Sequence, residues 1–385
     1  MSERIALPPI EPATMKAQLQ RKMNLRESLS LLLQMLVGAA AGAATMILLL
    51  KGGSLVAPPD TNAALVALIA APAALFAMFA QVLVHELGHA LVGQWMGGKI
   101  LRVIIGPWRW ERVQRGFRFT RVRSLKGIGG LAQSVLPDGP GFRRAFAAML
   151  LGGPFANLAL AGLAWLMLPL LPWWPLKVLA AVLAAMGLLF GVVNLLPFRS
   201  GGFQTDGLQL IRAYTDRQAL ELRQRALRIA RASLDGLRPR EFDPEDLAAL
   251  DIDRAQGMEK LAAQLIHATV AGDRGDYPRM RQILEPALAG WQQIPDGLRQ
   301  SLAAMAALLS IELDHDPATA REWLLRAEAG LVHSFEIDWV RVRIAECEGD
   351  AAGRDAALAR MRAALDETIY LGDERVYRER MANLR

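Results

Sequence analysis

Long apolar runs punctuate the first half of the chain, while the second half shows only helical spacing of Ala, Leu and Arg with no run long enough to cross a bilayer. Four segments reach the roughly 20 residues that a membrane-spanning helix needs; they are 28–50, 65–96, 145–171 and 178–197. Between the second and third, "LRVIIGPWRWERV" and "FRFTRVRS" alternate apolar or aromatic residues with charged ones around "QRG". That period of two predicts a β-hairpin. The pattern predicts an all-α polytopic membrane protein of four transmembrane helices with a cytoplasmic β-hairpin, followed by a soluble α-helical region.

Charge divides the chain at the same place. Residues 1–207 hold 19 Lys/Arg against 8 Asp/Glu, a net of +11, and residues 208–385 hold 25 against 30, a net of −5. The basic excess therefore lies in the apolar half, where it reads as a topology signal and not as a nucleic-acid footprint. Basic residues crowd the tail before the first span and the segment 99–144, whereas the other two connections carry one lysine each, Lys51 and Lys177. This asymmetry predicts a multi-pass protein of the cell's inner or plasma membrane with both termini and the long middle loop cytoplasmic. The expected domains are a tail (1–26), a membrane-embedded domain (27–207) and a cytoplasmic helical domain (208–385). A single cysteine, Cys347, excludes an internal disulfide and a thiolate metal cluster.

In the last region, helix breaks recur at "AGDRGDYP", "LDHDPAT" and "CEGDAAG". Their aspartates, Asp276, Asp316 and Asp350, are 40 and 34 residues apart, and the segments that follow look alike. Such spacing resembles tetratricopeptide-like helical hairpins, an architecture that binds partners. A protein regulator docking on residues 208–385 is the expectation.

The chemistry sits in the second span. "VLVHELGHALVGQW" places His85, Glu86 and His89 inside an apolar run, where ionisable groups are costly and usually functional. Residues four apart share a helix face, so two imidazoles can hold one metal ion beside a carboxylate that takes a proton from water. A third protein ligand is needed. The longer motif with a third histidine fails, because Val92 and Trp95 stand at the required positions. Glu111 is flanked by Arg109 and Arg112, and ion pairing explains it more simply. His267, His315 and His333 belong to the polar half. Asp206, just beyond the end of the fourth span, is left as the best candidate.

These residues resemble the site-2 protease family of intramembrane zinc metalloproteases. The resemblance rests on "HELGHALVGQWMGGKI" in one span, "GGPFANLALA" in the next, and "NLLP" followed by "DG" after the last, over about residues 65–210. It implies that His85, His89 and Asp206 bind one Zn2+ per chain and that Glu86 is the catalytic base. It also implies that Asn157 and Asn194 position the substrate or stabilise the oxyanion; the plainer reading of both is helix-to-helix hydrogen bonding. One departure stands out: Asp206 follows Asn194 by twelve residues, an interval lengthened by "RSGGFQ". The implied activity is hydrolysis of membrane-spanning or membrane-associated polypeptides within or near the lipid bilayer. An edge strand of the hairpin would hold the unwound substrate; the plainer reading is a surface hairpin anchored by Trp108 and Trp110 at the headgroups and by arginines to anionic lipid. The rival reading is a non-catalytic membrane scaffold with a degenerate metal site and a partner-binding helical domain.

Overall fold

A computed structural model of the chain describes residues 56–58, 60–121, 129–200, 203–255, 257–294, 296–327 and 332–384. The predicted span 28–50 lies outside these residues. The described chain forms two compact units, one of residues 56–106 and 129–216 and one of residues 107–121 and 217–384.

The first unit is built on three helices long and apolar enough to cross a membrane: α1 (Ala63–Trp95), α2 (Phe142–Met167) and α3 (Trp174–Leu195). Asn62 starts α1 by accepting the Ala64 N–H at 2.8 Å. Proline is tolerated inside α1 (Pro72) and α2 (Pro154), as is common where helices pack in membranes. Leu68, Leu75, Leu166 and Leu188 turn outward and are more than half exposed, the orientation expected when lipid rather than water surrounds the bundle.

Glycines decide how closely α1 and α2 approach. A Cβ on Gly88 would lie 2.3 Å from the Gly152 carbonyl oxygen, and one on Gly152 would lie 2.5 Å from that of Gly88. The two backbones touch, as small residues permit in membrane bundles. This contact brings the HELGH turn of α1 against the GGPFAN turn of α2.

Beside the helices, β1 (Lys99–Ile105) pairs antiparallel with β4 (Gly130–Val135). The alternation around "QRG" predicts one hairpin from residue 101 onward. Its tip is found as β2 (Trp108–Val113) and β3 (Gly116–Arg121), while "LRVII" pairs with β4. Leu101, Val103, Ile104 and Ile105 are all buried; a continuously buried strand loses the alternation that would reveal its register.

The second unit holds the β2–β3 hairpin and a series of helices: α5 (Arg217–Leu234), α6 (Pro244–Ala249), α7 (Gly257–Asp273), α8 (Tyr277–Ala289), α9 (Asp296–Glu312), α10 (Pro317–Ala327), α11 (Ser334–Glu348), α12 (Ala351–Glu367) and α13 (Leu371–Ala382). The helix-break aspartates have a physical role: Asp276, Asp316 and Asp350 accept the backbone N–H of Arg279, Thr319 and Gly353, capping α8, α10 and α12. Trp323, Phe335, Leu302, Leu309 and Met361 form the inner core. Helix α13 runs back to the start of the series, where Gly372 lies against the Leu237 carbonyl and Arg375 pairs with Glu241.

A methyl group at the α1–α2 contact has nowhere to go. Gly152→Ala is expected to destabilise the protein by about 1–3 kcal/mol through overpacking, read as a lowered thermal unfolding midpoint in detergent, whereas Gly162→Ala, where nothing lies within 4 Å of the added atom, is expected to leave it in place.

Candidate metal centre

Helical spacing puts His85 and His89 on one face of α1, and the tertiary fold delivers Asp206 to them. His85 Nε2 lies 3.2 Å from Asp206 Oδ2, His89 Nε2 lies 3.5 Å from Asp206 Oδ1, and the two Nε2 atoms are 3.1 Å apart. Among the described residues this is the group of three that can converge on one metal ion, with its ligand atoms within 4.8 Å of one another. All three side chains are 12% exposed. Gly153 forms the floor: a Cβ there would sit 2.5 Å from His89 Nε2.

The outer nitrogens determine which lone pairs face inward. His89 Nδ1 is 2.7 Å from the Met149 carbonyl oxygen, which can only accept, so the proton is on Nδ1. His85 Nδ1 is 2.6 Å from Asn157 Oδ1. The Asn157 amide is oriented in turn, because its Nδ2 donates to the Gln81 carbonyl at 2.8 Å and to Gln81 Oε1 at 2.7 Å. Gln81 Nε2 donates to the Leu183 carbonyl at 3.0 Å. Gln81 and Asn157 have no exposed surface. Two imidazoles thus present unprotonated Nε2 atoms to each other and to a carboxylate, an arrangement that only a shared cation relieves. The donor set, two neutral imidazoles and a carboxylate with an ordered second layer, fits zinc.

The long interval before Asp206 is taken up by a small looped-out hairpin. β5 (Arg199–Ser200) pairs with β6 (Phe203–Gln204), and Thr205 closes its base. The Thr205 hydroxyl donates to the Leu196 carbonyl at 2.6 Å, and its backbone N–H donates to the Phe198 carbonyl at 3.1 Å. The same hydroxyl accepts from Leu208 N, capping helix α4 (Asp206–Thr215). The chain therefore leaves α3 and re-enters a helix almost where it left. Gly207 makes that possible, since a Cβ there would stand 1.9 Å from the Leu195 carbonyl.

Glu86 lies beside the three ligands, between them and β4. Its carboxylate faces the Ala132 backbone N–H and lies where a Cβ on Gly130 would be 2.5 Å from its Oε1. It is 8% exposed. Strand β4 thus holds the one carboxylate of the motif that the cluster does not use.

Residues 73–173 match the model of Peptidase family M50. The match supports the likeness to the site-2 protease family drawn from the HELGH and GGPFAN turns. Neither a curated protein nor a solved structure matches the chain. The M50 segment contains His85, Glu86, His89 and Asn157 and ends before α3, so the place of Asp206 rests on geometry.

Asn157 and Asn194 differ in surroundings. Both N–H groups of Asn157 are engaged by Gln81, and its oxygen faces His85, all on α1. Asn194 donates to the Phe190 carbonyl one turn back on α3 at 2.9 Å. Glu111 belongs to the other unit, opposite Arg118 in the β2–β3 ladder and near Arg109 and His333. Gln81, Gly130, Gly153 and Thr205 carry no metal-ligand signature, so spacing could not single them out; of these only Gly153, inside "GGPFAN", falls in a segment the resemblance marks. Asn157→Leu strands the His85 Nδ1–H and the Gln81 Oε1 without partners. It is expected to destabilise the protein by about 2–4 kcal/mol, the sum of two unmade buried bonds, measurable by thermal unfolding in detergent; a change within error would remove the network from the account.

Proposed function

We propose that this chain is an intramembrane zinc metalloendopeptidase that hydrolyses peptide bonds of membrane-spanning or membrane-associated polypeptides within or beside the bilayer. The observation that carries the reading is the convergence of two outward-protonated histidines and a carboxylate at the end of a span-length helix, with Glu86 beside them. His85, His89 and Asp206 would hold one zinc ion per chain. Bound there, zinc supplies Lewis-acid polarisation of a water and of the scissile carbonyl.

The chain's own residues do the rest. Glu86, steadied by the Ala132 N–H, takes the proton of the attacking water and delivers it to the leaving amine. Asn157, with its donors committed to Gln81, keeps the His85 ring turned inward; its contribution is positional. Asn194 is assigned to substrate positioning. The polypeptide must unwind before cleavage, because a helix hides its carbonyls in backbone hydrogen bonds. The basic residues of 99–144 put that loop and both termini on the cytoplasmic side of an inner or plasma membrane. Residues 208–385 offer the surface for a protein regulator.

Glu86→Gln is expected to retain zinc and to lower cleavage of a reconstituted membrane substrate at least about a hundredfold; turnover equal to the parent's overturns the assignment of Glu86. Asp206→Ala is expected to lose the metal, as chelation does, with activity returning on zinc addition only to chelated parent protein. Parent protein purified without metal and unable to take up zinc would point to a scaffold.

A further inference from the structure

The helical unit encloses a cavity of about 270 Å3 between α13 and the helices α7, α9 and α11, close to the lower end of the roughly 300–1,000 Å3 typical of small-ligand pockets. Its lining includes the apolar Leu265, Met280, Met305 and Leu308 and the polar or ionisable Asp373, Arg380, Tyr377, Trp339, Glu336 and His333.

Trp339 and Asp373 are not satisfied by the protein. Trp339 is 5% exposed and its indole N–H has no hydrogen-bond partner; a buried donor left unpaired is costly. Asp373 makes no hydrogen bond or close ion pair among the described residues, and burial, reinforced by the charge of Asp273 and only partly offset by that of Arg380, pushes its carboxyl up to about 7. Asp273 also lines the cavity, but it is taken up by Arg238 at 2.6 Å. Arg380 lies seven residues after Asp373, two turns along the same helix face, and the two do not pair. Its guanidinium sits over the rings of Trp339 and Tyr377 and donates once, to the Gly272 carbonyl. A carboxyl without a hydrogen-bond partner and a cation with donors to spare thus face one cavity that also has apolar lining.

We propose that this cavity binds a small zwitterion with an apolar tail, an aliphatic α-amino acid, with its ammonium against Asp373, its carboxylate against Arg380 and the Trp339 indole N–H, and its side chain among Leu265, Met305 and Leu308. The site is independent of the metal centre. A cation alone would leave the Trp339 donor unmet, and an anion alone would leave Asp373 unmet.

Calorimetric titration of the full-length protein in detergent tests this with three probes of similar shape: L-leucine, 3-methylbutylamine and 4-methylpentanoate. Saturable binding of leucine at one site per chain is expected, with each half-ligand weaker by at least about tenfold, the loss of one charged hydrogen bond. Asp373→Asn and Trp339→Phe are each expected to weaken leucine by a similar factor. No leucine binding means a cavity filled by water and overturns the proposal. Equal affinity for the amine or the carboxylate overturns the zwitterion assignment, and that comparison needs no variant. Leucine binding unchanged in both variants places the ligand elsewhere and also overturns it.

Discussion

Polar groups carried into a membrane-spanning helix must find partners within the protein, because lipid offers none. Helix α1 brings Gln81, His85, Glu86 and His89 into that position, and the first unit is arranged around meeting their needs. Gln81 is satisfied by α3 and by Asn157, His85 by Asn157, His89 by the Met149 carbonyl, and Glu86 by β4. What remains unmet is on the inner side, where two Nε2 atoms and a carboxylate converge. Satisfying every outer atom is what turns the inner lone pairs into a cation site.

Close backbone approach is the means. The Gly88–Gly152 contact allows α2 to offer Asn157 and the Met149 carbonyl to α1, Gly153 leaves space for both imidazoles, and Gly207 lets α4 begin against the end of α3. A side chain at any of these glycines would separate the groups that the site needs together. The M50 match and the geometry meet here, since the glycines of "GGPF" lie inside the matched segment.

The helical unit follows a different logic. Aspartates cap its helices and tryptophans stand in its core, and its last helix returns to the first ones through ion pairs and the Gly372 contact. Bringing that helix back leaves the cavity whose polar lining the protein does not itself complete.

Local periodicity determined a good deal by itself. Three apolar runs of spanning length, the shared face of His85 and His89, the β2–β3 hairpin and the helix breaks at Asp276, Asp316 and Asp350 are all properties of neighbouring residues, so they are legible in spacing and composition. The partner of "LRVII" was not, because a strand buried on both faces carries no alternation and β4 lies beyond a long connection. Nor could spacing say that the twelve residues from Asn194 to Asp206 close into a hairpin stapled by Thr205, that Asn157 turns to His85, or that Gly130 makes room for Glu86. Those outcomes depend on which backbones approach to van der Waals contact and which buried donors must then be paired, and only the tertiary structure decides that.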